Sequence, residues 1–366
     1  MNNHQFNYAE RQWFSLPARK GGLGVIVPSE VSDIYYENSK IMTAELVHKI
    51  VNQKQPQTDL PENESRTTAK HHINTAKIQQ EEDKLAYVES TLNPEKTKIL
   101  EAITLKSASN WLTVMPIKNH GFYLNKQEFW DSLKTRYGIP LSRLPSKCVC
   151  GQNFSVEHAF TCKIGGFVTI RHNEIRDFTA EILREVCHDV QVEPMLTPLS
   201  GENFQYRTAN TDRDARPDVA ARGVWIRGSR AFCDVRVFNP LARTYRNQTL
   251  AAAHKTNENE KKRAYQERIR HVEHGSFTPL VFSCFGGMSI ECLRFYNHVS
   301  DKLSEKRDIS GSLARSWVRT KLCFSLLRTA NLCIRGSKTL RPQDCADLAS
   351  TSITLAASDA RLDPGQ

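Results

Sequence analysis

Two aspartates could do chemistry together. Asp218 lies in Arg216-Pro217-Asp218 and Asp234 in Cys233-Asp234-Val235-Arg236, each at a short run of β-forming residues. Gly223 and Gly228-Ser229 punctuate the stretch between them, as a hairpin connection requires. Adjacent antiparallel strands would bring both carboxylates to one end of a sheet. Paired carboxylates form an oxygen-rich site suited to Mg2+ or Mn2+, and an ion held there serves hydrolysis of a phosphate ester.

A second constellation precedes them. Cys148, Cys150, His158 and Cys162 follow the spacing C-x-C-x7-H-x3-C, with Gly151 directly after the first pair. Two cysteines on a glycine-turned knuckle, with His and Cys one helical turn apart, can surround Zn2+ through three sulfurs and one nitrogen. Four protein ligands leave no open position, so this zinc would be structural rather than catalytic. His172 is a spare candidate ligand for the same ion. Glu174 and Glu181, seven apart on a helix, share a face, and one of them could complete the aspartate metal site.

Charge bounds the substrate. The 366-residue chain carries a formal charge of +10, has a pI near 9.1 and a mean hydropathy of −0.50. Residues 203–275 hold 15 Lys/Arg against 8 Asp/Glu, so the basic surplus surrounds the aspartates. A basic zone around an acidic pocket fits a polyanion held by its phosphates. No run of 18 apolar residues predicts a membrane span, and the start, Met1-Asn2-Asn3-His4-Gln5, lacks a secretory pattern. An intracellular location follows, in which the ten cysteines are reduced or metal-bound.

The elements that must position these residues can be read in order. Leu16–Val25 is a loop with three glycines that has no GxxxxGK[ST] and reads as a structural turn. Residues 1–52 form a helical segment, with Val31, Ile34, Tyr35, Ile41, Leu46 and Ile50 at helical spacing over 29–52. Residues 53–68 are a polar, proline-bearing linker. The helical region 69–147 contains helices over 69–91 and over Pro94–Leu112, where Ile99, Leu100, Ile103 and Trp111 make the apolar stripe. A connector follows whose Phe129 and Trp130 read as core. The helix Arg171–His188 is followed by a strand over 190–196 and then by the aspartate hairpin. Next come a helix over Gln248–Glu273, a buried-type strand over 277–285, a helix opening near Met288 and a basic helix over 301–335. The tail from 336 is loose in composition and expected to be disordered. The fold class is therefore α+β overall: a helical N-terminal region, a knuckle over 148–170, and an α/β domain over 171–335 with a central mixed sheet.

The order αβββαβ, with Pro217-Asp218 on the second strand and Asp234-x-Arg236 on the third, resembles the PD-(D/E)xK restriction-like nuclease fold. In that family a lysine stands two residues after the second acid; Arg236 stands there in this sequence. The helix that follows offers a replacement in Glu260-Lys261-Lys262-Arg263-Ala264-Tyr265, where Lys261 and Lys262 each share a face with Tyr265. The displaced lysine, the CCHC knuckle and Arg171-His172-Asn173 together resemble the C-terminal end of site-specific non-LTR retrotransposon polyproteins. In those, a helical linker leads to a zinc knuckle and then a restriction-like endonuclease. The resemblance spans residues 8–335, and no Tyr/Phe-x-Asp-Asp polymerase motif is present.

The resemblance implies a Mg2+- or Mn2+-dependent endonuclease that nicks target DNA. Asp218 and Asp234 hold the ion. Lys261 or Lys262, beside Tyr265, stabilises phosphate charge or orients water. Arg216, Arg236 and Lys255 contact nucleic acid. DNA is the implied partner, with retroelement RNA and a reverse transcriptase from elsewhere as further ones, and the nucleus is the implied location. The Arg236 departure leaves an alternative: a catalytically inactive or domesticated zinc-containing nucleic-acid-binding module. If the two acids point apart, a protein-interaction scaffold on the N-terminal helices becomes the third reading.

Overall fold

A computed structural model describes residues 5–54, 64–211 and 215–336. The chain is mixed α+β and divides into two units, Asn2–Asn93 and Pro94–Gln366. Most of the expected linker and the tail beyond Gly336 lie outside the described residues. Among the described residues, no helix is long and apolar enough to cross a membrane.

The first unit is helical. Asn7 and Glu10 form a capping box that starts α1 (Tyr8–Ser15), Asn7 Oδ1 accepting from Glu10 N at 2.8 Å. Pro28 opens α2 (Pro28–Val51), which packs along α3 (Glu64–Thr91). The glycine loop before α2 spends its amides on its own carbonyls, Gly22 N on Pro17 O and Gly24 N on Leu16 O, which is the behaviour of a turn.

The second unit begins with α4 (Pro94–Thr104) and α5 (Asn110–Thr113), where one continuous helix was expected. The chain breaks between them at Ser107, whose φ of 81° cannot continue a helix. In α6 (Lys126–Arg136) Asp131, Ser132, Leu133 and Arg136 face inward, so Phe129 and Trp130, expected in the core, stand at the rim with more than a third of their surface exposed. A short α7 (Val156–Ala159) belongs to the knuckle. The sheet domain then runs α8 (Phe167–Val186), β1 (His188–Val192), α9 (Arg207–Thr211), β2 (Val219–Arg222), β3 (Arg230–Phe238), α10 (Leu250–His271), β4 (Ser276–Ser283), α11 (Ile290–Arg307) and α12 (Gly311–Gly336). β1 starts earlier and ends earlier than its sequence pattern predicts. Asp189 at φ 49° makes a bulge, and Glu193, also at φ 49°, turns the chain out of the sheet. The single basic helix expected over 301–335 is the end of α11 and all of α12, separated at Asp308 in the left-handed region.

The four strands lie in the order β1-β2-β3-β4, with β1, β2 and β3 antiparallel and β4 parallel to β3. The tight β2–β3 connection needs positive φ at Gly223 (87°) and Gly228 (81°). One face of the sheet packs Val219, Ala221, Cys233, Val235, Leu280 and Phe282 against α8, α11 and α12. Each such aliphatic or aromatic side chain is worth about 1.5–3 kcal/mol on burial, so this face carries the fold. The other face packs Ala220 and Phe232 against Ile269 of α10, a smaller apolar patch that leaves room for polar side chains. Strand alternation puts Asp218, Asp234 and Arg236 on this second face.

Candidate active site and metal centre

The register of the β2–β3 pair positions the aspartates. Val219 pairs with Cys233, so Asp218, one residue earlier, stands opposite Asp234, one residue later. Both are buried, Asp218 to 7 % exposed and Asp234 to 3 %.

Each carboxylate has its own partners. Asp218 Oδ2 accepts from Val235 N at 2.6 Å, and Oδ1 faces His172 Nε2 of α8 at 2.7 Å. Asp234 Oδ2 faces Lys261 Nζ of α10 at 2.5 Å, a buried ion pair. Burial drives the Asp234 carboxyl up to about 6; the Lys261 ammonium opposes the rise and the neighbouring Asp218 adds to it.

The helix lysines separate by partner. Lys262 Nζ is bound to Glu291 Oε1 at 2.5 Å, and Lys255 to Glu258 at 3.2 Å and Glu291 at 3.4 Å, so both are engaged with carboxylates outside the aspartate pair. Lys261 alone of the three meets an aspartate. Tyr265 packs on Phe277, with its hydroxyl 3.5 Å from the Arg216 carbonyl, at the edge of the same face. Arg216 itself is exposed. Arg236, two residues past Asp234, donates from Nε to Asn257 Oδ1 at 3.1 Å, and Tyr245 Oη donates to the same oxygen. The arginine is thereby held against α10.

Glu174 and Glu181 turn away from the pair. Glu174 Oε1 accepts from Ser325 of α12 at 3.1 Å, and both carboxyls are raised by burial with lysine and arginine side chains nearby. Two residues of α8 that sequence spacing did not assign to the site do reach it. His172, a spare zinc candidate and the middle of Arg171-His172-Asn173, meets Asp218, and Arg176, one turn on, feels the Asp218 charge while pairing with Glu193. The signal was the i, i+4 spacing of His172 and Arg176 on one face of a helix that leads into the sheet.

The Cys148, Cys150, His158 and Cys162 ligand atoms all lie within 4.8 Å of one another, a Cys3His group that could hold a metal such as zinc. Lys147 and Asn153 pair as a small bridge, Cys148 N donates to Gln152 O, and Gly151 takes φ 84° to close the turn. Ser155 caps α7 and presents His158, whose Nε2 is 3.2 Å from Cys150 Sγ; Cys148 Sγ is 3.8 Å from Cys162 Sγ. Burial raises the Cys162 thiol to about 11, so a metal there must displace a firmly held proton. Among the described residues this is the one group of three or more such ligands, and His172 is outside it.

No protein-family model matches the chain, and no curated protein matches it.

Proposed function

We propose that the chain is a metal-dependent endonuclease that hydrolyses DNA phosphodiesters, with a PD-(D/E)xK-like site in the sheet domain and a zinc knuckle before it. On this reading it corresponds to the C-terminal end of a non-LTR retrotransposon polyprotein. The observation that carries it is Lys261 at 2.5 Å from Asp234, with Asp218 opposite on the paired strand. A lysine from the following helix thus stands beside the second acid, the role that Arg236, tied to Asn257, cannot fill.

The residues fit a divalent ion. Asp234 presents a buried carboxylate whose Oδ2 meets the Lys261 ammonium, and Asp218 keeps lone pairs beyond the two contacts it makes. Mg2+ or Mn2+ takes hard oxygen donors and keeps several positions for water and phosphate, which suits two carboxylates. When bound, the ion lowers the pKa of its water and offsets charge on the phosphate. The chain's own residues do the rest. Asp218 and Asp234 would hold the ion, and Lys261, beside Asp234, would supply the positive charge that offsets charge on the phosphate. Arg216, exposed at the rim, contacts the DNA backbone. Zinc held by Cys148, Cys150, His158 and Cys162 would be structural.

A nicking assay on supercoiled plasmid with Mg2+ tests the reading. Wild-type protein should convert supercoiled to open circle, and Asp234→Ala should not, while both retard DNA in a gel. An inert wild type that still binds DNA would instead favour the binding-module reading. One observation favours that reading: an arginine anchored to α10 where the family's lysine would stand.

A further inference from the structure

Asp218 is oriented from two directions. The backbone N–H of Val235 fixes Oδ2 at 2.6 Å, and His172 Nε2 meets Oδ1 at 2.7 Å. A carboxylate held by one hydrogen bond can still pivot about that oxygen; a second bond to the other oxygen fixes its plane. About four lone-pair directions exist on a carboxylate, so two remain, and they belong to whatever Asp218 shares with Asp234 across the strand pair.

His172 is itself held by the fold. The preceding residue, Arg171, is 1 % exposed and donates from Nη2 to Phe160 O at 3.1 Å, pinning the start of α8 to the end of the knuckle. Ile175 and Phe178 anchor the next turn in the core, and Thr179 Oγ1 lies 2.7 Å from Tyr296 Oη of α11. The imidazole therefore projects from a helix secured on both sides. Its own side chain is 31 % exposed, too open to be explained as core packing. The Cys3His group of the knuckle does not include it.

We infer that His172 is a positioning residue of the nuclease site: its Nε2–H fixes the Asp218 carboxylate in the plane that ion binding needs. The inference rests on the endonuclease reading and adds to it the residue that sets the geometry of its first acid. Partners that orient metal-binding side chains are worth about 10–100-fold in metal affinity or activity when removed.

The test compares wild type with His172→Ala, His172→Gln and Asp218→Ala in plasmid nicking over a DNA and a Mg2+ series. DNA affinity and the side-chain 15N signal of His172 are followed in parallel. The expected result is a fall in kcat of about 10–100-fold for His172→Ala with DNA affinity and KM for DNA unchanged. His172→Gln, whose amide can place a donor near the Nε2 position, should recover much of the loss. The His172 nitrogen signal should shift in Asp218→Ala. A His172→Ala protein with wild-type kcat, or a glutamine variant no better than alanine, overturns the positioning role and leaves the endonuclease reading standing. A wild type without Mg2+-dependent nicking overturns the endonuclease reading itself, and the nitrogen signal then reports only the contact.

Discussion

Lys261 Nζ and Asp234 Oδ2 meet at 2.5 Å, a helix residue closing on a strand residue 27 positions earlier in the chain. The neighbouring Lys262 meets Glu291 at the same distance. Two adjacent lysines thus have different partners. Lys261→Ala should lower Mg2+-dependent nicking by about 10²–10³-fold, the usual loss for one charge-stabilising donor. Lys262→Ala should stay within a few-fold of wild type, because its partner, the half-buried Glu291, lies outside the aspartate pair. Rates of the two variants on one plasmid substrate decide the assignment; equal losses would show that proximity to Asp234 is not what matters.

Arg236 gives the complementary experiment. Its Nε holds Asn257 Oδ1, and Asn257 also receives Tyr245 Oη, so the arginine braces α10. If Lys261 fills the lysine role, restoring a lysine in Arg236→Lys adds nothing to the rate. That substitution should leave nicking within about threefold of wild type and cost about 1 kcal/mol of stability for the lost hydrogen bond, read by urea denaturation. A gain of tenfold or more would mean that the arginine is a lesion in the site.

The burial that drives Asp234 up to about 6, against the pull of Lys261, makes two pH profiles predictable. The folded-state pKa is above the unfolded one, so protonation stabilises the fold. That contribution is complete below about pH 4 and is lost as pH rises through 6. Asp234→Asn should therefore melt higher than wild type at pH 8 in EDTA, by about 2–4 °C, with the gap closing below pH 6. Activity runs the other way. Ion binding needs the carboxylate, so nicking should fall roughly tenfold per unit below pH 6. A wild type equally active at pH 5 and pH 8 would contradict the buried, ion-holding role.

The legible parts of this chain were those fixed by local rules. The hairpin of β2 and β3 followed from glycines that need positive φ, and the knuckle from ligand spacing alone. Strand β4 was legible as a buried apolar run, but its parallel pairing with β3 was not. What was not legible depended on tertiary placement. Glu174 looked as eligible as any acid on α8, yet its turn faces α12 and Ser325 rather than the sheet edge. His172 looked like a leftover zinc ligand because its true partner lies 46 residues away. Phe129 and Trp130 carry the apolar surface of core residues but occupy the rim of α6, since four inward positions were already taken. Spacing reports which residues share a face; it does not report which face meets what.

The Cys3His atoms lie within 4.8 Å, and Phe160, two residues before Cys162, receives the Arg171 guanidinium at 3.1 Å. Purified protein should contain one zinc per chain by elemental analysis, reduced well below that in Cys150→Ser. The thiol of Cys162, raised to about 11 by burial, must lose its proton to the metal, so zinc should be released more readily as pH falls. Chelation should then raise amide exchange first in residues 148–162 and next at the start of α8, because Arg171 would lose the ordered Phe160 carbonyl to which it donates. Exchange in β2–β4 should change little, since that face of the sheet is held by its own apolar core. Loss of zinc that left α8 fully protected would show the knuckle and the helix to be independent.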